Sequence, residues 1–398
     1  MLGRALALVH VGRTPTRAAL TAELGVTRAT AGSVAAWLQE LRLIRVHTRP
    51  AASAGALGRP SHRLVIDPDG PVALAAQVHA DGFDVALIGL GAQVAPGGHA
   101  SVTMRGDPGQ VLRAVAEAGA KLLRSSGRTC VGAGLAVPSA IAEPEGTALN
   151  PLHVDWPAGT PVRDTFTEQV RRAGITGPGG LPSACMVAND ISAAALAEYR
   201  HGAGSGAENL LVVATGRRGV GGALVLDGKL YAGSRNLAMQ VGHITVNPGG
   251  PICVCGSRGC LDVETDPLSL LAAVGREPRA DMPVLQQAIA LLTKEYAADP
   301  AVRTAAGRLI DRLGLGLAGL INVLNPDRVL LGGLHRYLLN VDARRLRSVV
   351  SDRSLWGRLA GIPILSCALD DNSLIGAAEL AWQPVLDDPL AALNPVPR

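Results

Sequence analysis

A histidine and three cysteines lie close together in residues 243–262, which read HITVNPGGPICVCGSRGCLD. The four are His243, Cys253, Cys255 and Cys260. One imidazole and three thiolates complete a tetrahedral zinc site without leaving an open position. Glycines at 256 and 259 allow the tight turns that would bring the last two cysteines to one metal. The segment therefore predicts a loop that folds around a structural Zn²⁺ ion.

A disulfide or a set of free thiols is the alternative for the same residues. No apolar signal segment opens the chain, so we expect a cytoplasmic protein, where thiols stay reduced. Zinc is accordingly the preferred interpretation of the spacing.

The pattern around these ligands resembles the ROK family of sugar kinases and sugar-responsive transcriptional repressors. The resemblance rests on Gly-His followed by Cys-x-Cys-Gly-x-x-Gly-Cys-Leu and an acidic residue, and it covers nearly the whole chain. It implies an α/β body of two actin-like, ribonuclease H-like lobes with a cleft between them. It also implies that His243 both binds zinc and approaches the sugar, and that a C-terminal helix at 372–382 returns to the first lobe.

Charge is divided unevenly along the 398 residues. Residues 1–64 carry nine arginines, no lysine and two acidic residues, whereas the remainder has 28 basic and 31 acidic residues. A small basic unit on a mildly acidic body is typical of a nucleic-acid-binding head, although a solvated basic surface would show the same imbalance. No run of 18 apolar residues occurs, so we expect no membrane span.

The head contains a helix-turn-helix pattern. Residues 16–24 predict a short helix, 25–26 a tight turn, and a second helix begins at Thr27. In the second helix, the predicted packing stripe consists of Val34, Trp37, Leu38 and Leu41. The predicted DNA contacts on its exposed side are Thr27, which would also cap the helix, Arg28, Thr30 and Ser33. An ordinary helical hairpin is the alternative.

Two alternating segments, 43–47 and 61–66, predict the strands of a wing. The loop between them ends in Gly58-Arg59-Pro60, which resembles a segment of the family's repressors that lies near the minor groove. Arg59 is thus a predicted contact to A·T-rich DNA, with a simple turn as the alternative. We expect a winged helix-turn-helix domain at 1–66 and a ROK domain at 71–398. The family's kinases lack such a head.

The body shows alternating strand and helix patterns. Strands are predicted at 72–78 and 131–137, and a helix at 191–199. A hairpin is predicted with strands at 224–226 and 230–231 around Asp227-Gly228.

The family resemblance assigns six positions to a sugar pocket: Asn150, Asn189, Asp190, Gln240, His243 and Asp262. In the kinases the residue matching Asp190 is the general base, and in a regulator the same carboxylate would read a hydroxyl. A helix N-cap is the alternative role for Asp190. Gln240 and Asp262 each replace a family glutamate, so the chemistry of the pocket is altered.

The phosphate-binding motifs of the kinases are degraded. The first should fall near 77–82, where neither threonine nor lysine is present. The second reads RRGVGG at 217–222, so Arg217 and Arg218 replace the flexible glycine and the hydroxyl, though two arginines could still hold an anion. The glycine pair at 332–333 is interpreted as a structural strand end.

Together these patterns predict a DNA-binding transcriptional regulator, of the repressor type, whose body senses a sugar or related metabolite. Its expected partners are an operator in double-stranded DNA and further copies of itself, as a homodimer or homotetramer. Phosphoryl transfer is not expected, since kinase catalysis depends on positioning phosphates and Mg²⁺. The alternatives are a regulator that needs no ligand and an ATP-dependent sugar kinase.

Overall fold

A computed structural model describes residues 1–47, 62–149, 151, 153–180 and 183–393. The N-terminal head consists of α1 (Leu2–His10), α2 (Arg17–Leu24), α3 (Arg28–Glu40), β1 (Ile44–His47) and β2 (Arg63–Ile66). The two strands pair antiparallel, with Ile44 opposite Ile66. The predicted helices and wing strands are confirmed, while α1 was not predicted.

Local hydrogen bonds explain where the two helices of the motif begin. The hydroxyl of Thr16 accepts the amide of Ala19, and that of Thr27 accepts the amide of Thr30. Gly25 ends α2 with φ +65°, a left-handed conformation that suits glycine. The predicted turn thus has the expected geometry.

The packing stripe of α3 differs from the prediction at one position. Val34 and Leu38 are buried as predicted, together with Ala31 and Ala35. Trp37 is 49% exposed, so its assignment to the packing stripe was wrong. Trp37 instead lines a surface cavity together with Glu40. The face of α3 that packs against the rest of the head contains the small residues Ala31 and Ala35.

The first lobe of the body follows the head. Its elements are β3 (Val72–His79), β4 (Gly82–Ile88), β5 (Val94–Thr103), α4 (Pro108–Ser126), β6 (Cys130–Val137), β7 (Ile141–Ala142), β8 (Thr147–Ala148), α5 (Val162–Arg172), β9 (Cys185–Asn189) and α6 (Asp190–His201). Its main sheet has the order β5-β4-β3-β6-β9, in which β3, β6 and β9 are parallel. Strand β6 is buried along its whole length, as expected for a strand covered on both faces.

The second lobe carries a matching five-stranded sheet in the order β12-β11-β10-β13-β14. Its elements are β10 (Asn209–Thr215), β11 (Val220–Leu226), β12 (Lys229–Leu230), α7 (Leu261–Thr265), α8 (Pro267–Ala273), α9 (Val284–Ala290), α10 (Pro300–Leu324), β13 (Arg328–Gly332), α11 (Leu334–Val341), α12 (Ala343–Arg353), α13 (Leu355–Leu359) and β14 (Ile364–Ser366). Asp227 and Gly228 both have positive φ in the hairpin between β11 and β12, as the predicted turn requires.

The last helices, α14 (Asn372–Asp387) and α15 (Pro389–Leu393), return to the first lobe. Two glycines let α14 approach closely. A β-carbon at Gly134 would stand 1.8 Å from the carbonyl oxygen of Ala377, and one at Gly376 would stand 1.8 Å from that of Ala193. The backbone of α14 therefore contacts both β6 and α6. No helix within the described residues is both long and apolar enough to cross a membrane.

The head shares its hydrophobic core with the body. One apolar cluster contains Leu6 and Val9 of α1, Leu38 of α3, and Ala377 and Trp382 of α14. Gly3 makes the closest approach, because a β-carbon there would stand 2.4 Å from the carbonyl oxygen of Asp387. The head therefore packs directly on the C-terminal helix α14 and shares an apolar core with the body.

A buried carboxylate lies in this contact between head and body. Glu379 of α14 is 0% exposed, and its oxygens lie 2.8 Å from His10 Nε2, 3.0 Å from His201 Nε2 and 2.7 Å from Arg200 Nη1. Burial by itself raises the pKa of Glu379, but His10, His201 and Arg200 reverse that effect and hold it well below its ordinary value. The carboxylate is therefore charged and joins α1, α6 and α14.

We expect the substitution His10→Ala to lower the free energy of unfolding by on the order of 3 kcal/mol, because it removes a partner from a buried charge. Urea unfolding at neutral pH measures the change. The control is His99→Ala, an exposed histidine on β5, which should stay within about 0.5 kcal/mol of the parent. Equal effects of the two substitutions would show that the carboxylate does not depend on the head.

Candidate functional sites

The exposed face of α3 forms a candidate DNA-binding surface. Thr27, Arg28 and Ser33 are exposed and Thr30 is half-buried, so the first turns of α3 face solvent as predicted. The guanidinium of Arg17, at the start of α2, approaches this face, since a β-carbon at Gly32 would stand 3.6 Å from its Nη1. Sequence reasoning did not select Arg17, although its place at a helix start in a basic head was a usable signal. Arg59 lies outside the described residues.

The predicted zinc ligands converge. The ligand atoms of His243, Cys253, Cys255 and Cys260 all lie within 4.8 Å of one another. His243 Nδ1 is 3.7 Å from the sulfur of Cys253, and the sulfurs of Cys255 and Cys260 are 3.8 Å apart. The loop closes because Gly256 and Gly259 take positive φ, and a β-carbon at Gly259 would stand 1.5 Å from the carbonyl oxygen of Asn247.

These distances suit a tetrahedral metal, and no disulfide joins the sulfurs. Two sulfurs bound to zinc at about 2.3 Å in a tetrahedron stand roughly 3.8 Å apart. A disulfide requires about 2.05 Å. All six cysteines are free thiols, so the donor set and its spacing are compatible with a structural zinc site.

A second group of metal-ligand types, His10, His201 and Glu379, also lies within 4.8 Å, but its hydrogen bonds describe an ion-pair network. The amide of Gly91 donates to His10 Nδ1 at 3.0 Å, so that nitrogen carries no proton and Nε2 must be the donor to Glu379. Nε2 is thus not free to ligate. Arg200 adds a positive charge that disfavours a cation.

A cavity lies between the lobes. Four of the predicted sugar-facing residues line it, namely Asn189, Asp190, Gln240 and His243. Asn150 lies outside the described residues. Asp262 does not line the cavity: it is 3% exposed, and its Oδ1 accepts the amide of Val220 at 2.7 Å. Burial raises the pKa of Asp262, and the Val220 hydrogen bond partly offsets this effect.

Asn189 and Asp190 divide their roles at the start of α6. Asn189 is the N-cap, because its Oδ1 accepts the amides of Ile191 and Ser192. The helix-cap role considered for Asp190 therefore belongs to its neighbour. Asp190 Oδ1 accepts hydrogen bonds from Asn189 and Ile191, whereas its Oδ2 has no hydrogen-bond partner among the described residues. Asp190 is only 7% exposed, and its carboxyl group can present Oδ2 to a ligand in the cavity.

The hairpin of β3 and β4 and the loop between β10 and β11 contact each other directly. Arg217, between β10 and β11, reaches the hairpin of β3 and β4, with Nη2 3.4 Å from Asp84 Oδ2 and Nη1 3.8 Å from Asp81 Oδ2. Burial raises the pKa of Asp84, but His79, Ser101 and Arg217 outweigh it and lower the pKa to about 2. An ion pair thus joins the lobes where the resemblance would place the phosphates.

His153 and Gly333 differ in how far the sequence indicated their roles. His153 lines it beside Gly219, and sequence reasoning missed it because no motif marks this histidine. At the glycine pair 332–333, a β-carbon at Gly333 would stand 2.1 Å from the carbonyl oxygen of Thr215. The close packing at Gly333 supports its interpretation as a structural strand end.

The protonation of Asp190 yields a prediction about stability. Burial raises its pKa to about 7 from 3.8, and hydrogen bonds from Ile191 and Asn189 partly offset the rise. The folded protein then holds a proton that the unfolded chain releases, so stability should fall as pH rises from about 4 to about 7. The full difference corresponds to on the order of 4 kcal/mol.

Asp190→Asn should remove this contribution, making the variant more stable than the parent at pH 8 and flattening the decline between pH 5 and 8. Urea unfolding at both pH values measures the effect. Asp227→Asn, in the exposed hairpin turn, is the control and should follow the parent. A parallel pH profile for Asp190→Asn and the parent would contradict the buried, protonated carboxyl group.

Comparison with known proteins agrees with this architecture. The chain is 31% identical over 214 residues to a glucokinase of Halalkalibacterium halodurans, covering 51% of this chain and 61% of the relative. It is 25% identical over 254 residues to the xylose repressor of Caldicellulosiruptor bescii, covering 62% and 60%. The chain thus spans about 60% of the length of these curated relatives.

A solved structure described as a ROK family transcriptional regulator, homolog of the E. coli MLC protein, superposes with a TM-score of 0.73 at 21% identity. The superposition covers 98% of this chain and 96% of the other, so the similarity includes the head and shows the shared fold. The sequence profile of the ROK family matches residues 80–383. The chain belongs to the ROK family.

Proposed function

We propose that this protein is a DNA-binding transcriptional regulator, acting as a repressor, whose ROK domain senses a sugar-related metabolite. The observation that carries the proposal is a basic helix-turn-helix head whose recognition helix is exposed and whose α1 packs on the body. The proposed units are the head at 1–66 and the ROK domain at 71–398. The repressor among the relatives supports this function.

Kinase activity is the second candidate, because a glucokinase is also among the relatives. Two features oppose it. Neither threonine nor lysine is present at 77–82, and Arg217 forms an ion pair with Asp84 between the two loops. A kinase depends on placing phosphates and Mg²⁺ in that space. We therefore infer that the cavity binds its ligand without transferring phosphate.

Helix α6 offers a physical connection between cavity and head. It begins at Asp190 in the cavity and ends with Arg200 and His201 at Glu379, which contacts His10 of the head. A ligand that favours one arrangement of the lobes would shift α6, and with it the head, by its differential affinity for the two states. In a homodimer or homotetramer this shift would move paired heads out of register with two DNA half-sites.

The Cys₃His cluster is proposed to hold one structural Zn²⁺ ion. Bound zinc would supply folding energy to a loop that has little apolar core of its own. His243 belongs both to the cluster and to the wall of the cavity, so the same loop would position a ligand-facing residue. The proposed ligand contacts are Asn189, Asp190, Gln240 and His243, with Asn150 as a further candidate.

The test of the function is a selection of genomic DNA fragments by the purified protein. We expect one enriched operator sequence, and Arg28→Ala should weaken its binding by about 1–3 kcal/mol while relaxing specificity at one base pair, because a guanidinium pairs bidentately with guanine. Fluorescence anisotropy at fixed salt measures both effects. Arg113→Ala, an exposed arginine in the middle of α4, is the control and should bind as the parent does.

Failure to enrich any DNA would contradict the regulator, and release of ADP from ATP with a hexose would favour the kinase instead. An operator whose binding no sugar changes would leave a ligand-independent regulator. The proposed contact of Arg59 predicts in addition that Arg59→Ala weakens binding mainly at A·T-rich flanks.

For the metal, we expect the freshly reduced protein to contain about one zinc per chain by elemental analysis. Cys255→Ser should lose the metal and lower the melting temperature, since structural zinc binding contributes folding energy. The control is Cys185→Ser, because Cys185 is a half-buried thiol outside the cluster. This variant should keep the zinc content and the melting temperature of the parent. Metal-free protein with an unchanged melting temperature in Cys255→Ser would overturn the zinc assignment.

A further inference from the structure

The two arginines at 217 and 218 are adjacent in sequence but have different surroundings. Arg217 is paired with Asp84, whose depressed pKa keeps the carboxylate charged, so the charge of Arg217 is compensated within the protein. Arg218 is exposed and has no ion pair among the described residues. It lines the cavity between the lobes.

His153 lies next to the same loop. A β-carbon at Gly219 would stand 2.1 Å from His153 Nε2, so the imidazole packs against the backbone directly after Arg218. Burial lowers the pKa of His153, and the charge of Arg218 lowers it further against the opposing effect of Asp266. A neutral imidazole still offers one N–H donor. The guanidinium and the imidazole therefore provide hydrogen-bond donors to one part of the cavity.

The cavity wall offers little negative charge to compensate the guanidinium of Arg218. Asp190 is the acidic residue among those lining it, and burial raises the pKa of Asp190 to about 7. The backbone amides of the loop are partly occupied, because Val220 donates to Asp262 and Gly216 donates to the carbonyl oxygen of Gly219. Positive charge at this end of the cavity thus comes from a side chain, and an uncompensated guanidinium favours an anion.

We propose that the cavity takes a small polyhydroxylated ligand bearing an anionic group, with phosphate or carboxylate held by Arg218 and His153 and hydroxyls facing Asp190. This inference rests on the proposed function and specifies its effector as an anionic sugar derivative. Arg218 determines specificity, because a neutral sugar leaves its charge unpaired. Arg217 instead holds the lobes together and takes no part in binding.

The test compares the thermal stability of the parent and Arg218→Gln in inorganic phosphate, acetate and chloride at equal ionic strength. Phosphate stabilises many proteins without a site, so the signal is the extra stabilisation of the parent over the variant. Arg124→Gln, an exposed arginine on α4, is the control for the lost charge. We expect the parent and Arg124→Gln to gain melting temperature in phosphate or acetate and Arg218→Gln to lose that gain.

Calorimetric titration with glucose, glucose 6-phosphate and glucuronate then separates the sources of the anion. We expect one anionic sugar to bind at least about tenfold more tightly than glucose, and Arg218→Gln to remove that preference. Equal anion stabilisation of the parent and Arg218→Gln, or none in either, would overturn the anion site. Operator selection is measured without ligand. If an operator is enriched but neither anion stabilisation nor the preference for an anionic sugar depends on Arg218, this inference is refuted and the proposed regulator is not. Anion binding without any enriched DNA refutes the regulator alone.

Discussion

The carboxylate of Glu379 is fully buried, pairs with the guanidinium of Arg200 in α6 and accepts a hydrogen bond from His10 in α1, so the positions of the head and of α14 are fixed together. Isolated in a low-dielectric interior, such a charge would be very costly, and removal of its partners would neutralise it. The network therefore requires α1, α6 and α14 to meet at one point. Glycines at 134 and 376 permit the close approach of α14 that brings the carboxylate there.

The hairpin of β3 and β4 and the loop between β10 and β11 hold the two lobes to each other. Arg217 carries a charge from the second lobe to Asp84 and Asp81 of the first. An ion pair of this kind is partly exposed and modest in energy, so it can break at little cost.

Much of the fold was predictable because local patterns determine it. The helix-turn-helix, the wing strands, the β11–β12 turn and the Cys₃His loop follow from caps, alternation, a short turn and ligand spacing. Long-range pairs were not predictable: His10 and Glu379 are separated by 369 positions, and no local signal joins them. The apolar spacing of Leu2, Leu6 and Val9 could have indicated α1.

The predictions that failed for individual side chains, such as Trp37 and Asp262, failed for a similar reason. Trp37 fits a helical stripe, but periodicity does not determine which of several small neighbours fill the core. Asp262 was assigned to the pocket by family position, yet its carboxylate is directed to the amide of Val220. Asp190 was distinguished from a helix cap only when Asn189 was seen to provide the cap. The direction of a side chain depends on tertiary contacts, and these contacts cannot be inferred from the local patterns of a single sequence.

Asp262 contacts both the loop of the Cys₃His cluster and the wall of the cavity. Its Oδ1 holds the amide of Val220, next to the segment that carries Arg218, and its Oδ2 lies 3.9 Å from the sulfur of Cys253. His243 contributes to the cluster and to the cavity wall at once. Order in this loop would thus position two parts of the cavity wall, the imidazole of His243 and the turn that carries Arg218. Because both lie at the boundary between the lobes, order in this loop and the arrangement of the lobes should depend on each other.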